Sequence, residues 1–115
     1  MRSTFIDTAA IIAVGSELLT PYRADSNSLF LTARLNDLAI EVQGKVIVGD
    51  DRKMLALAIE RGRNDADLIV MTGGLGPTDD DITRDTLATV LNAPLEERQE
   101  ILSVCLLYTS AAADE

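Results

Sequence analysis

A glycine-rich segment in the middle of the chain has the residue types of an anion site. Residues 72–78 read Thr-Gly-Gly-Leu-Gly-Pro-Thr. Glycines at the end of a buried strand let backbone N–H groups approach a phosphate closely. The segment has neither the GxGxxG spacing of dinucleotide folds nor the Gly-Lys-[Ser/Thr] ending of a P-loop. It therefore predicts a phosphate or pyrophosphate contact, and a purely structural strand-to-helix turn is the equally weighted alternative.

Three aspartates, 79–81, follow this segment directly. One aspartate is well explained as a helix N-cap, which contributes about 0.5–2 kcal/mol. Three adjacent carboxylates repel one another, however, and they also repel a phosphate held by the neighbouring glycines. A divalent cation with oxygen ligands, such as Mg²⁺, would relieve both conflicts because it can be shared with substrate phosphates. For residues 79–81, the metal interpretation therefore gains weight over capping alone.

Further acidic residues follow the two earlier apolar runs. Glu17 follows Gly15 and Ser16, and Asp50 and Asp51 follow Val48-Gly49. If the strands are parallel, Glu17, Asp50 and Asp81 lie at one edge of the sheet, where together they could form an acidic cluster that faces the glycine-rich segment. Taken singly, each acid is more often a cap or a solvated loop residue. The segment 25–27 (Asp-Ser-Asn) adds polar groups at a helix start, where capping is again the alternative.

The elements that must position these residues alternate along the chain. Apolar runs predict strands at 9–14, 40–48 and 68–71, and helical spacing predicts helices at about 26–38, 50–61 and 82–91. In the second strand, apolar residues at 40, 42, 46 and 48 alternate with an irregularity at Gly44. The predicted inward helix residues are Leu29, Phe30, Ala33 and Leu38, then Met54, Leu55, Ala58 and Ile59, then Leu87, Val90 and Leu91. This order predicts an α/β fold with a mainly parallel sheet and right-handed crossovers.

Composition excludes several classes of function. The chain has 115 residues, a formal charge of −9 and no histidine, so it cannot form a Ser-His-Asp triad or an HExxH zinc site. Its acidic balance and few aromatic residues argue against nucleic-acid binding. Cys105 is the one cysteine, so an intramolecular disulfide is excluded. No apolar run reaches the roughly 20 residues of a membrane span, and we expect a cytoplasmic protein.

Four motifs together resemble a known family. GSELLT at 15–20, DSNSLFL at 25–31, VGDD at 48–51 and especially TGGLGPTDDDIT at 72–83 are similar to the amino-terminal domain of the competence-damage-inducible CinA family. That domain shares the molybdopterin-binding (MoaB/Mog) fold of molybdenum-cofactor biosynthesis proteins. The resemblance spans about residues 9–102. It implies a three-layer α/β sandwich with a site at the strand ends.

The resemblance also implies roles for individual residues. Glu17, Asp50 and Asp81 correspond to acidic residues that handle a metal and a pterin or nucleotide phosphate, with Asp50, Asp80 and Asp81 as metal ligands. The implied ligand contacts are Gly15, Ser16, Asp25, Ser26, Asn27, Thr72, Gly73, Gly74, Gly76, Pro77 and Thr78. The implied activity is hydrolysis of a nucleotide-sugar pyrophosphate such as ADP-ribose with a divalent metal, expected to be Mg²⁺. The alternatives are a non-catalytic molybdopterin- or nucleotide-binding module and an inactive fragment.

We divide the chain into three parts on the same grounds. Residues 1–8 are an extension, residues 9–102 form a partial family domain, and residues 103–115 do not match the family pattern. Two hypotheses stand for this tail, a translated sequencing adapter and a native helix and tail. Many CinA proteins continue into a deamidase domain, whose activity we do not assign here. We expect the complete domain to self-associate.

Overall fold

Strands and helices alternate along the described part of the protein. The computed structural model describes residues 5–76, 82–96 and 98–100. In these ranges the order is β1 (Thr8–Val14), a 3₁₀ turn (Ser16–Leu19), α1 (Ser26–Asp37), β2 (Glu41–Val48), α2 (Arg52–Asp65), β3 (Leu68–Thr72) and α3 (Thr83–Leu91). Each element lies within a few residues of its predicted position.

The sheet is built around β1. Strand order is β2-β1-β3, and β1 runs parallel to both neighbours. A central parallel strand is covered on both faces, so it reads as a continuous apolar run. The side chains of β1 that are almost fully buried are Ala9, Ile11, Ile12, Ala13 and Val14. The predicted α/β fold with a parallel sheet is therefore confirmed.

A bulge in β2 lies at the irregularity that the sequence predicts for that strand. Ala9 pairs with Val42 and Ala10 pairs with Gly44, which leaves Gln43 as an extra residue. One inserted residue reverses which side chains point to each face. Val42 consequently packs on the α1 side of the sheet, whereas Val48 belongs to the core on the α2 side. The irregularity predicted at Gly44 is therefore confirmed, and it divides the apolar residues of the strand between the two faces.

Two hydrophobic cores lie on opposite faces of the sheet. The smaller one is on the α1 side and consists of Ala9, Ile11 and Leu35. The larger one joins the sheet to α2 and to the start of α3, and it consists of Ile12, Val14, Val48, Leu55, Ala58, Ile59 and Ile82. This gives helix, sheet and helix layers, and it fixes the strand ends between helices on both sides.

Helix α1 buries a different face from the predicted one. Leu29, Phe30 and Leu38 are 68%, 62% and 70% exposed. The residues that reach the sheet are Leu31 and Leu35, which lie one helical turn apart. Apolar residues occupy more than one face of this helix, so spacing alone did not identify the inward one.

The other two helices follow the prediction more closely. The predicted stripe residues that pack into the core are Leu55, Ala58, Ile59, Leu87 and Val90. Met54 and Leu91 are instead about half exposed. Helix α2 continues to Asp65, beyond its predicted end, because Gly62 lets it approach β3, where an added Cβ would lie 2.9 Å from Cδ1 of Ile69. None of the helices in the described ranges is long and apolar enough to cross a membrane.

Candidate functional site

The glycine loop passes directly over the end of the central strand. After β3 ends at Thr72, Gly73 and Gly74 adopt φ values of 84° and 64°. An added Cβ would fall on the carbonyl oxygen of Val14 at Gly73, and on Oγ1 of Thr83 at Gly74. Neither position can take a side chain without displacing its neighbours. Glycine is therefore required at positions 73 and 74 for the backbone to follow this path.

The first residue of α3 is bonded to this loop. Oγ1 of Thr83 donates a hydrogen bond to the carbonyl oxygen of Gly73 at 2.7 Å, and its N–H donates to the carbonyl oxygen of Gly74 at 3.1 Å. The N–H groups of Gly74 and Leu75 donate to no residue in the part of the chain that the structure describes. Two adjacent backbone donors without a protein partner can bind an anion.

Glu17 lies beside the end of β1. The N–H of Gly15 donates to the carbonyl oxygen of Val48 at 2.9 Å, which joins the ends of β1 and β2. The Glu17 carboxylate folds over Gly15, since a Cβ there would lie 2.6 Å from its Oε1. This carboxylate is exposed and, within residues 5–76, 82–96 and 98–100, has no hydrogen bond or ion pair. It is therefore available to a ligand.

Two adjacent aspartates after β2 have different environments. The N–H of Asp50 donates to Oγ of Ser16 at 3.1 Å, which brings the two strand-end loops together. The exposed carboxylate of Asp50 has no partner among the residues described. The carboxylate of Asp51 instead accepts hydrogen bonds from the N–H groups of Lys53 at 3.0 Å and Met54 at 3.1 Å. Asp51 therefore caps α2, whereas no described residue occupies the carboxylate of Asp50.

The Asp25 segment has a local structural role. Its carboxylate accepts hydrogen bonds from the N–H of Ser28 at 3.1 Å and from the Ser28 hydroxyl, which caps α1. Ser26 and Asn27 are the exposed first residues of that helix. Capping accounts for the position of Asp25, and ligand contacts by these three residues stay predictions.

The structure places only part of the predicted site. Thr72 is half-buried at the end of β3, and the carbonyl oxygen of Gly76 accepts a long 3.4 Å hydrogen bond from Nη2 of Arg84. The predicted residues that lie outside the described ranges are Pro77, Thr78, Asp80 and Asp81. Gly15, Ser16, Glu17 and Asp50 lie together at the carboxyl edge of the sheet.

The described residues do not form a complete metal site by themselves. Within residues 5–76, 82–96 and 98–100, no group of three or more Asp, Glu, His or Cys side chains could hold a metal ion. Glu17 and Asp50 offer unpartnered carboxylates, which are suitable ligands for a hard cation. The other predicted ligands are among the residues that are not described.

Sequence reasoning gave no role to Thr83 or to the ion pair between Arg52 and Asp85. That pair joins the starts of α2 and α3 at 3.8 Å, and both side chains are largely exposed, so it contributes little. Thr83 matters more because it bonds the loop. The signal that could have identified Thr83 is its position, since it is a hydroxyl residue in the first turn of a helix that follows a glycine loop.

The described part of the protein also has a groove of about 970 Å³, which reaches the end of β2 at Val48 and Gly49. It runs between β2 and α2, and its exposed apolar residues include Leu19, Val46, Met54 and Leu57. Its lining contains neither Glu17 nor the glycine loop. The carboxyl edge is the better candidate because the carboxylates of Glu17 and Asp50 have no partner among the described residues.

Comparison with known sequences identifies related proteins. The family described as "Probable molybdopterin binding domain" matches residues 10–109. A CinA-like protein from Solibacter usitatus is 50% identical over 95 residues, which cover 83% of this chain and 23% of the relative. A CinA-like protein from Acidobacterium capsulatum is 44% identical over 105 residues, which cover 91% of this chain and 25% of the relative. The chain spans about a quarter of the length of these curated relatives.

Solved structures with similar folds come from the same group of proteins. CinA from Thermoplasma acidophilum has a TM-score of 0.78 at 30% identity, covering 85% of this chain and 58% of that one. The tungsten cofactor synthesizing protein MoaB from Pyrococcus furiosus has a TM-score of 0.68 at 25% identity, covering 76% of this chain and 54% of that one. These likenesses confirm the predicted three-layer fold.

Proposed function

The chain belongs to the molybdopterin-binding domain family and is CinA-like, and on that premise we propose that its site hydrolyses the pyrophosphate bond of a nucleotide sugar such as ADP-ribose. The observation that supports this most is the placement of Glu17 and Asp50. Among the described residues, neither carboxylate has a partner, and both lie at the sheet edge where the amides of Gly74 and Leu75 also have none. Hydrolysis of a diphosphate needs hydrogen-bond donors for the phosphate oxygens and a base that accepts a proton from the attacking water.

Each described group has one role in the proposed reaction. The N–H groups of Gly74 and Leu75 bind phosphate oxygens and hold the diphosphate at the end of β1. Glu17 accepts a proton from a water molecule as that water attacks phosphorus. The bridging P–O bond breaks, and the products are AMP and ribose 5-phosphate.

A divalent cation, with Mg²⁺ as the proposed ion, belongs to the same proposal. When bound, it neutralises charge on the diphosphate. Asp50 is the described residue that we assign to hold it, and Asp80 and Asp81 are the remaining predicted ligands.

A second candidate is a binding module without catalysis. It is favoured by the family description and by the likeness to MoaB, whose name refers to cofactor synthesis. In this case the glycine loop holds the phosphate of a pterin, and Glu17 acts only as a polar contact. In either case the partner is a small molecule with a phosphate group, and the complete domain self-associates.

Incubation of the 115-residue chain with ADP-ribose and MgCl₂ tests the proposal. We expect AMP to form with Mg²⁺ and not with EDTA. Glu17→Gln and Asp50→Asn should each abolish AMP formation, and Asp37→Asn, which changes an exposed acid at the end of α1, should not.

Three results would count against hydrolysis. Full activity in both site variants would remove the roles given to Glu17 and Asp50. A ligand-induced rise in the melting temperature without AMP would favour the binding module. Absence of a cooperative melt would favour the inactive fragment.

A further inference from the structure

We propose that Thr83 is a positioning residue that turns the backbone amides of the glycine loop toward a bound phosphate. The proposal rests on the function proposed above and adds a residue to which the sequence motifs gave no role. Thr83 contacts the loop twice, through its hydroxyl to Gly73 and through its N–H to Gly74. Its side chain is only 3% exposed, so water does not compete for these bonds.

The two bonds determine where the loop amides point. In a trans peptide, the C=O and the N–H of the next residue point in opposite directions. Thr83 binds the carbonyl oxygens of Gly73 and Gly74 on the α3 side, so the N–H groups of Gly74 and Leu75 must point away from α3. Those are the two donors that have no partner among the described residues. A single residue thus sets the direction of both proposed anion donors.

Thr83 is itself held by the core. The preceding residue, Ile82, is buried in the larger core, and its carbonyl oxygen accepts a hydrogen bond from the N–H of Thr86 at 3.0 Å. Leu87 and Val90 pack the rest of α3 against the same core. An added Cβ at Gly74 would meet the Thr83 hydroxyl, so the loop and the first residue of α3 are in close contact. The loop geometry therefore depends on the position of α3.

The same helix provides a matched control. Thr86 is 5% exposed, and its hydroxyl has no hydrogen-bond partner within the described part of the chain. Thr86 and Thr83 are thus buried threonines in one helix, and only Thr83 bonds the loop. Replacing each by valine removes one hydroxyl with almost no change in shape.

The test measures binding of inorganic pyrophosphate to ¹⁵N-labelled 115-residue chain by NMR, with the amides of Gly74 and Leu75 as reporters. We expect Thr83→Val to weaken binding about fivefold to tenfold, which is the usual effect of losing one buried hydrogen bond. Thr83→Ser keeps the hydroxyl and should bind as the parent chain does, and Thr86→Val should bind unchanged.

Every other outcome contradicts either the positioning role of Thr83 or the proposed anion site. Unchanged binding in Thr83→Val, or equal losses in Thr83→Val and Thr86→Val, overturns the positioning role. If Thr83→Val does not fold, weakened binding by folded Thr83→Ser overturns it instead. If the parent chain does not bind pyrophosphate, the proposed anion site fails. The role of Thr83 is then decided without ligand, because only Thr83→Val should shift the Gly74 and Leu75 amide signals, and unshifted signals overturn it.

Discussion

The two ends of the same sheet use carboxylates in opposite ways. At the amino end, the Asp67 carboxylate accepts hydrogen bonds from the N–H groups of Asp7 at 3.0 Å and Thr8 at 3.3 Å. The N–H of Asp67 donates in return to Oγ1 of Thr8 at 3.1 Å, so the starts of β1 and β3 are joined. At the carboxyl end, the side chains of Glu17 and Asp50 accept no hydrogen bond from any described residue.

This difference shows that the partner of an acid, rather than its residue type, indicates its role. A carboxylate that accepts backbone hydrogen bonds contributes to stability, and its removal leaves donors unsatisfied. An exposed carboxylate without partners contributes little to stability. We therefore expect that Glu17 and Asp50 can be replaced without unfolding the protein.

The largest expected effect is at the loop that covers β1. Gly73→Ala should destabilise the chain by about 2–4 kcal/mol, because the new Cβ meets the Val14 carbonyl in a left-handed backbone conformation. Urea unfolding measures the loss. Gly44→Ala is the matched control, since no heavy atom lies within 4 Å of a Cβ there. Equal stabilities of the two variants would contradict this description of the loop.

The next largest effect on stability is expected at the amino end of the sheet. Asp67→Ala should lower the free energy of unfolding by about 1–2 kcal/mol, because the N–H groups of Asp7 and Thr8 lose their acceptor. Pyrophosphate affinity should not change, since these residues lie at the opposite end of the sheet. If Asp67→Ala instead lost pyrophosphate affinity and kept the parent stability, the amino end of the sheet would be the ligand site and the account of the two ends would be wrong.

A smaller effect on stability distinguishes two neighbouring aspartates at the carboxyl end of the sheet. Asp51→Ala should cost about 1 kcal/mol because it removes the N-cap of α2. Asp50→Ala should change stability by less than about 0.5 kcal/mol, as expected for an exposed side chain without partners. Thermal unfolding of both variants checks this, and a larger loss in Asp50→Ala would show that Asp50 has a structural role.

The order of the elements could be predicted from the sequence because it depends on local pattern. The run Ala9–Val14 indicated a central strand, and Asp50 and Asp51 indicated the start of α2. The face of α1 could not be predicted, because Leu29 and Phe30 are as apolar as Leu31 and Leu35. The irregularity at Gly44 was indicated, but not that Gln43 is the extra residue, since pairing between strands sets this.

The site was predictable only in part for a similar reason. Glu17, Asp50 and the glycines were identified because they follow apolar runs, and parallel strands bring such residues to one edge. The direction of the loop amides depends on a long-range bond from Thr83 to Gly73, ten positions apart, which local spacing does not show. The sequence likewise did not show which acids accept hydrogen bonds and which do not, because tertiary contacts decide this.

The central claim is that Glu17 and Asp50, at the carboxyl end of the sheet, serve a ligand and not the fold. The most direct test measures urea unfolding and Mg²⁺-dependent hydrolysis of ADP-ribose in the Glu17→Gln, Asp50→Asn double variant. We predict a free energy of unfolding within about 0.5 kcal/mol of the parent value, together with loss of hydrolysis. A destabilisation as large as that of Asp67→Ala, or hydrolysis at the parent rate, would contradict the account.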